Sequence, residues 1–189
     1  MEIARLFEEG IAREDACDLE GAIEINKKIL QLDPRNKYAM NIIAGLFGKL
    51  GEFEQEITWT QKAIDIDPRF DLAYINYSSA LIGLKRYNEA ADVCKKAIQI
   101  NPENPYGVYN LGVIEEEKGN FKKALEFYWQ SIQIDPEFEN GYFNLAAMYA
   151  NLRQYDKAIE ALKILIELNP HAEEAKAMLL RIERVIKRK

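Results

Sequence analysis

Apolar residues return along this chain at three- and four-residue steps, the spacing of an amphipathic helix face and not the alternation of a strand. The pattern is clear between 105 and 138. Val108, Leu111 and Ile114 precede a polar interruption at Lys118-Gly119-Asn120, and Phe121, Ala124, Leu125, Tyr128 and Ile132 follow it. This predicts two helices joined by a tight reversal, the second stopped at Asp135-Pro136. Proline lacks an N–H and biases its predecessor away from helix, so it ends the segment. The stop signal recurs as Asp33-Pro34, Asp67-Pro68, Asn101-Pro102, Asp135-Pro136 and Asn169-Pro170, always 34 residues apart. The chain therefore divides into units 3–36, 37–70, 71–104, 105–138 and 139–172, with 173–189 left over. Residues 1–172 read as one array, and the whole chain as a single structural domain.

Two columns of small residues confirm the period. Ala22, Ala90, Ala124 and Ala158 share one repeat position, with Glu56 as the exception, and Gly10, Ala44, Ser78, Gly112 and Ala146 share another. Small side chains at fixed points let two helix backbones approach, so these columns mark the seam inside each predicted hairpin. Gly51 and Gly119 fall at the reversal, where glycine supplies a left-handed cap. Cys17, Lys85 and Arg153 occupy the same point elsewhere, so the turn does not always require glycine.

Period, small-residue columns and proline together resemble the tetratricopeptide repeat. The resemblance covers residues 3–172. Met40, Tyr74, Val108 and Tyr142 stand where the family commonly has tryptophan, and Glu115 where it often has an aromatic. The resemblance implies an all-α, right-handed α-solenoid of five helix-turn-helix hairpins. The remainder, 173–189, carries an apolar stripe of Ala175, Met178, Leu179, Ile182, Val185 and Ile186 among Arg181, Arg184, Lys187, Arg188 and Lys189. It reads as a capping helix, which a terminal repeat needs to cover its open apolar face. Its basic end suits the negative pole of the helix.

The resemblance further implies a concave wall built from the first helix of each hairpin. In this register the wall holds Tyr38, Leu72, Ile75, Tyr106, Tyr109 and Phe143 and is nearly uncharged. Ile75 and Val113 can alternatively pack partly against the next hairpin. Asn76, Asn110 and Asn144 form an asparagine column at one wall position. A carboxamide carries a donor and an acceptor, so such a ladder can pair with the backbone of an extended peptide. Asparagine is also common at that position in arrays generally. Glu8 and Ile42 break the column in the first two units. The family's clamp for acidic chaperone tails needs cations where this chain has Phe7, Ile11, Ile42, Leu72 and Asn76, so that ligand is not expected.

Composition narrows the function classes. The chain has 189 residues, 48% apolar and 30% charged, with 25 basic against 31 acidic side chains and a net charge of −6. The acidic balance argues against a nucleic-acid backbone as partner. The start of the chain lacks the pattern of a signal peptide, and no apolar run spans a bilayer, so a reducing, cytoplasmic setting and no membrane insertion are expected. One histidine, His171, and two cysteines, Cys17 and Cys94, match no nucleophile–base pair, metal cluster or phosphate loop. No enzyme activity, cofactor or metal is therefore expected. Cys94 falls in a core column and reads as a buried thiol. The expected role is a scaffold or adaptor holding an extended or helical segment of a protein partner in the groove. Self-assembly through the ends is the alternative: unit 3–36 has eight acids against five bases, and 173–189 has six bases against three acids. A targeting segment of a larger enzyme is a third reading. Glu115, Glu116 and Glu117 could meet a basic partner or simply be solvated. Trp129 sits where other units have Lys27, Gln61, Lys95 and Lys163, an outer position from which it could anchor a partner or lie over aliphatic stems.

Overall fold

The computed structural model describes residues 1–187, so Arg188 and Lys189 of the expected basic end lie outside the described residues. Among the described residues there are eleven helices and no strand. The chain splits into two compact units, Met1–Pro102 and Glu103–Lys189.

The first unit holds three hairpins: α1 (Glu2–Asp15) with α2 (Leu19–Leu32), α3 (Lys37–Lys49) with α4 (Phe53–Ile66), and α5 (Asp71–Gly83) with α6 (Tyr87–Ile100). Within this unit α2 also packs on α3 and α4 on α5, while α3 touches α5. The second unit holds α7 (Pro105–Glu117) with α8 (Phe121–Ile134), α9 (Glu139–Asn151) with α10 (Tyr155–Leu168), and then α11 (Glu173–Lys187) against α10. The sequence period thus corresponds to one hairpin.

Every second helix stops two residues before its proline, and the preceding Asp or Asn explains the turn. Asp33, Asp67, Asp135 and Asn169 each accept with Oδ1 from the backbone N–H two residues on, at 2.9–3.2 Å, the side-chain mimic of a turn. Side chains at three unit ends also reach back to the first residue of their unit. Asp67 accepts from Lys37, Asn101 Nδ2 donates to Asp71 at 2.8 Å, and Asn169 Nδ2 donates to Glu139 at 2.9 Å. Asp faces a cation and Asn donates to a carboxylate, so each closure matches a donor with an acceptor.

The reversal inside each hairpin is left-handed in all five cases. Gly51 and Gly119 have φ +76° and +79°, and Cys17, Lys85 and Arg153 have φ +59°, +59° and +58°. The turn tolerates other residues, as the sequence suggested, but it keeps the conformation, which costs an L side chain about 1 kcal/mol.

The small-residue columns are the seams. Ala22, Ala44, Ser78, Ala90, Ala124, Ala146 and Ala158 are fully buried. A Cβ added at Gly112 would lie 2.6 Å from the Tyr128 ring, so that seam is closed to any side chain. Glu56 breaks the column without leaving the core, and it is 3% exposed. Its carboxyl group lies over Gly48, where an added Cβ would be 2.6 Å from Oε2. Other units carry Glu14, Ile82, Glu116 or Ala150 at that point. The two departures are therefore one: a missing side chain on α3 makes room for a carboxyl group on α4. Burial pushes that carboxyl up to about 8.

Candidate functional site

The first helices present exposed aromatic rings backed by buried ones. In the first unit Tyr38 at the start of α3 is 55% exposed, and Leu72 at the start of α5 is also exposed. The Tyr38 ring meets Phe70 edge-on, with centroids 5.3 Å apart, and Lys37 Nζ lies 4.8 Å from the Phe70 centroid. Phe70 is buried at the N-cap of α5, so it holds the tyrosine from behind.

The second unit repeats the device 68 residues later. Tyr106 at the start of α7 is 42% exposed and stands edge-on to buried Phe138 at 4.8 Å. Tyr109 joins them, 5.4 Å from Phe138 and 5.6 Å from Tyr128. Edge-to-face packing of this kind fixes ring orientation. On α9, exposed Asn140 and half-buried Phe143 line a shallow hollow of about 420 Å³ with His171 and Glu173. The backing rings Phe70 and Phe138 were missed in the sequence, although the spacing Tyr38–Phe70 equals the spacing Tyr106–Phe138 and repeats with Gly51 and Gly119.

The asparagine column behaves differently from the expected ladder. Asn110 is 4% exposed, so its carboxamide is not open to a ligand on the wall. Ile75, 7% exposed, likewise faces the core, so neither residue belongs to the surface of the wall. Both side chains lie on the buried side of their first helix. Asn76 is half-buried, and its Nδ2 donates to Asn41 O at 3.2 Å and Asn41 Oδ1 at 3.0 Å. Asn144 Nδ2 donates to the Tyr109 hydroxyl at 3.0 Å. These donors tie neighbouring first helices together and hold the tyrosine in place.

Behind Tyr109 the network continues inward. Tyr128 is fully buried, and its hydroxyl donates to Glu116 at 2.6 Å. Burial and then the Glu116 carboxylate push the Tyr128 phenol up, and burial pushes Tyr109 up as well. Both hydroxyls stay protonated and serve as fixed hydrogen-bonding groups. Glu115 accepts from Asn120 at 2.9 Å and lies 3.9 Å from Lys118 and Lys123. Glu115 and Glu116 therefore both have partners within the unit.

Cys94 is buried, and its thiol is pushed up to about 11 by desolvation, whereas Cys17 is exposed in its turn. Among the described residues no cluster of His, Cys, Asp or Glu is placed to hold a metal ion, and no helix is long and apolar enough to cross a membrane.

Comparison with known proteins gives the same architecture. A family model described as the tetratricopeptide repeat protein 21 C-terminal ARM domain matches residues 52–184. A thermophilic tetratricopeptide-repeat protein from Thermus thermophilus is similar at 18% identity over 95% of this chain and 98% of its own, with a TM-score of 0.86. MamA is similar at 27% identity over 89% of this chain and 96% of its own, with a TM-score of 0.61. YrrB, a tetratricopeptide-repeat protein with an unusual peptide-binding site, is 17% identical over 95% of this chain and 90% of its own, with a TM-score of 0.56. No curated protein matches the chain. The first and third likenesses show the fold alone, which is the helical-hairpin solenoid.

Proposed function

We propose that this chain, which belongs to the tetratricopeptide-repeat family, is a non-catalytic scaffold whose first-helix wall holds an extended or helical segment of a protein partner. A protein-interaction role is general to such repeat scaffolds. The finer reading rests on one observation: an exposed tyrosine braced by a buried phenylalanine, present once in each compact unit at Tyr38–Phe70 and Tyr106–Phe138. A large ring held rigid before binding loses little entropy on contact, which is how aromatic anchors come to dominate interfaces.

Leu72, Phe143 and the outer edge of Tyr109 extend the apolar surface, and Asn140 supplies polar contact. Asn76 and Asn144 act from within the wall, by joining adjacent helices. The peptide-binding site described for YrrB makes a peptide ligand a natural one to test. A reducing compartment suits the free thiols at Cys17 and Cys94.

The test is capture of partners from a lysate of the source cells, followed by titration calorimetry with the recovered segment. Tyr38→Ala and Tyr106→Ala should each weaken binding by about 2 kcal/mol or more. Unchanged affinity in both variants, with helicity intact, would refute the wall as the site.

A second reading, end-to-end self-association, draws on α11. Leu180 is 55% exposed and Ile186 40% exposed, flanked by Arg181 and Arg184, while α1 exposes acids including Glu2, Glu8 and Asp15. Sedimentation at several protein and salt concentrations separates the readings: a scaffold without its ligand stays monomeric, and a charge-steered assembly dissociates as salt rises.

A further inference from the structure

Three departures from the repeat columns meet at one place in the second unit. Trp129 stands where the other units have Lys27, Gln61, Lys95 and Lys163. Ala161 stands where they have Ile25, Trp59, Val93 and Phe127, and Ile164 where they have Lys28, Lys62, Lys96 and Gln130. The lost bulk at Ala161 opens a hollow, and the two lost polar side chains make its walls apolar. The result is a pocket of about 330 Å³, formed by Trp129 of α8, Leu145 and Tyr149 of α9, and Lys157, Ala161 and Ile164 of α10. That volume falls in the range of small-ligand sites, as does a lining of aromatic and aliphatic groups with a few polar ones.

The polar groups converge at one end. Trp129 Nε1 donates to the Tyr149 hydroxyl at 3.0 Å, which leaves the tyrosine's own proton to donate elsewhere. Lys157 Nζ lies 5.3 Å from the centroid of the same ring and forms no ion pair within 4.0 Å among the described residues. A hydroxyl donor and an ammonium therefore flank the N-terminal end of the pocket on α10. Glu160, one turn further along α10, also lines the pocket. The Lys157 ammonium and the Tyr149 hydroxyl set the end at which a ligand's anionic group would lie.

We propose that this pocket binds an organic carboxylate with an aromatic or branched aliphatic body. The body lies over Ala161 between Trp129 and Ile164, and the carboxylate accepts from Lys157 Nζ and Tyr149 Oη. The chemistry is the same for a free acid and for the C-terminal apolar residue of a peptide. The site is separate from the first-helix wall and does not depend on it.

Titration calorimetry of the full chain tests this with three probes: phenylbutyrate, its uncharged amide, and an acetylated peptide ending in phenylalanine. Binding of the acid is expected, with the amide about tenfold weaker, since a charge-assisted pair is lost. Lys157→Met should bring the acid down to the amide's level. Ala161→Phe fills the pocket with the residue the preceding unit already carries there, Phe127, and should abolish binding at unchanged helicity. Should that variant fail to fold, Ile164→Gln, which restores the residue of the preceding unit, Gln130, should weaken binding of acid and amide alike. A peptide that binds tighter than the acid identifies a chain terminus as the source, and a weaker one identifies a free acid. Equal affinity for acid and amide, unchanged binding by a folded Ala161→Phe, or no binding of either carboxylate probe would each overturn the proposal.

Discussion

The buried carboxyl group of Glu56 should make this protein less stable as the pH rises. It is 3% exposed, has no hydrogen bond or ion pair among the described residues, and is pushed up to about 8 by burial against an ordinary value of 4.5. Between these two values the folded chain keeps a proton that the unfolded chain has released. Unfolding therefore releases a proton in this window, and the slope of stability against pH is negative. Below pH 4.5 both states are protonated and the penalty vanishes; above about 8 it is complete. Each pH unit in the window is worth about 1.4 kcal/mol, so raising the pH from about 5.5 to about 7.5 should cost roughly 2–3 kcal/mol at this one site. Other groups titrate too: Asp18, Asp67 and Glu89 are held down by Arg13, Lys37 and Arg86, and their effect comes at lower pH. The clean quantity is therefore the difference between the wild type and Glu56→Gln, which has the same shape but no charge. Urea unfolding followed by far-ultraviolet circular dichroism at several pH values measures it. The wild type should lose stability relative to the variant across this window. A pH-independent difference would refute the buried, unpaired state of the carboxyl group.

Other consequences are smaller. Lys85→Gly and Arg153→Gly should each stabilise by about 0.5–1 kcal/mol in thermal unfolding, because both residues sit at positive φ. Tyr128→Phe removes the bond to Glu116 and should cost about 1.5–3 kcal/mol, the range for a hydrogen bond to a charged group, in urea unfolding. Ala124→Leu should cost about 1–3 kcal/mol by overpacking a seam with no exposed surface.

The fold was legible in the sequence because the repeat states the same local rule five times. Asp or Asn before proline ends a helix through proline's missing donor and the Asx turn, and both follow from residue type alone. The small-residue columns were equally readable, since a seam between two helices admits little else. What the sequence concealed depends on which side of a helix the neighbours cover. Asn76, Asn110 and Asn144 share a column, yet Asn110 is buried while Asn76 and Asn144 bond to the adjacent first helix. Glu56 was visible as an exception, but its accommodation by Gly48 depends on a contact across the hairpin that no single column records. The pocket at Ala161 was hidden for the same reason: Trp129, Ala161 and Ile164 are ordinary one by one and meaningful only where they meet.

The central claim, that the first-helix wall is the binding surface, is tested most directly by site-specific photo-crosslinking in the source cells. A photoreactive phenylalanine would replace Tyr38, Tyr106 or, as an outer-face control, Lys95, which is exposed on a second helix. Adducts to a partner protein from position 38 or 106, and none from 95, are expected. Adducts from 95 with none from 38 or 106 would contradict the claim.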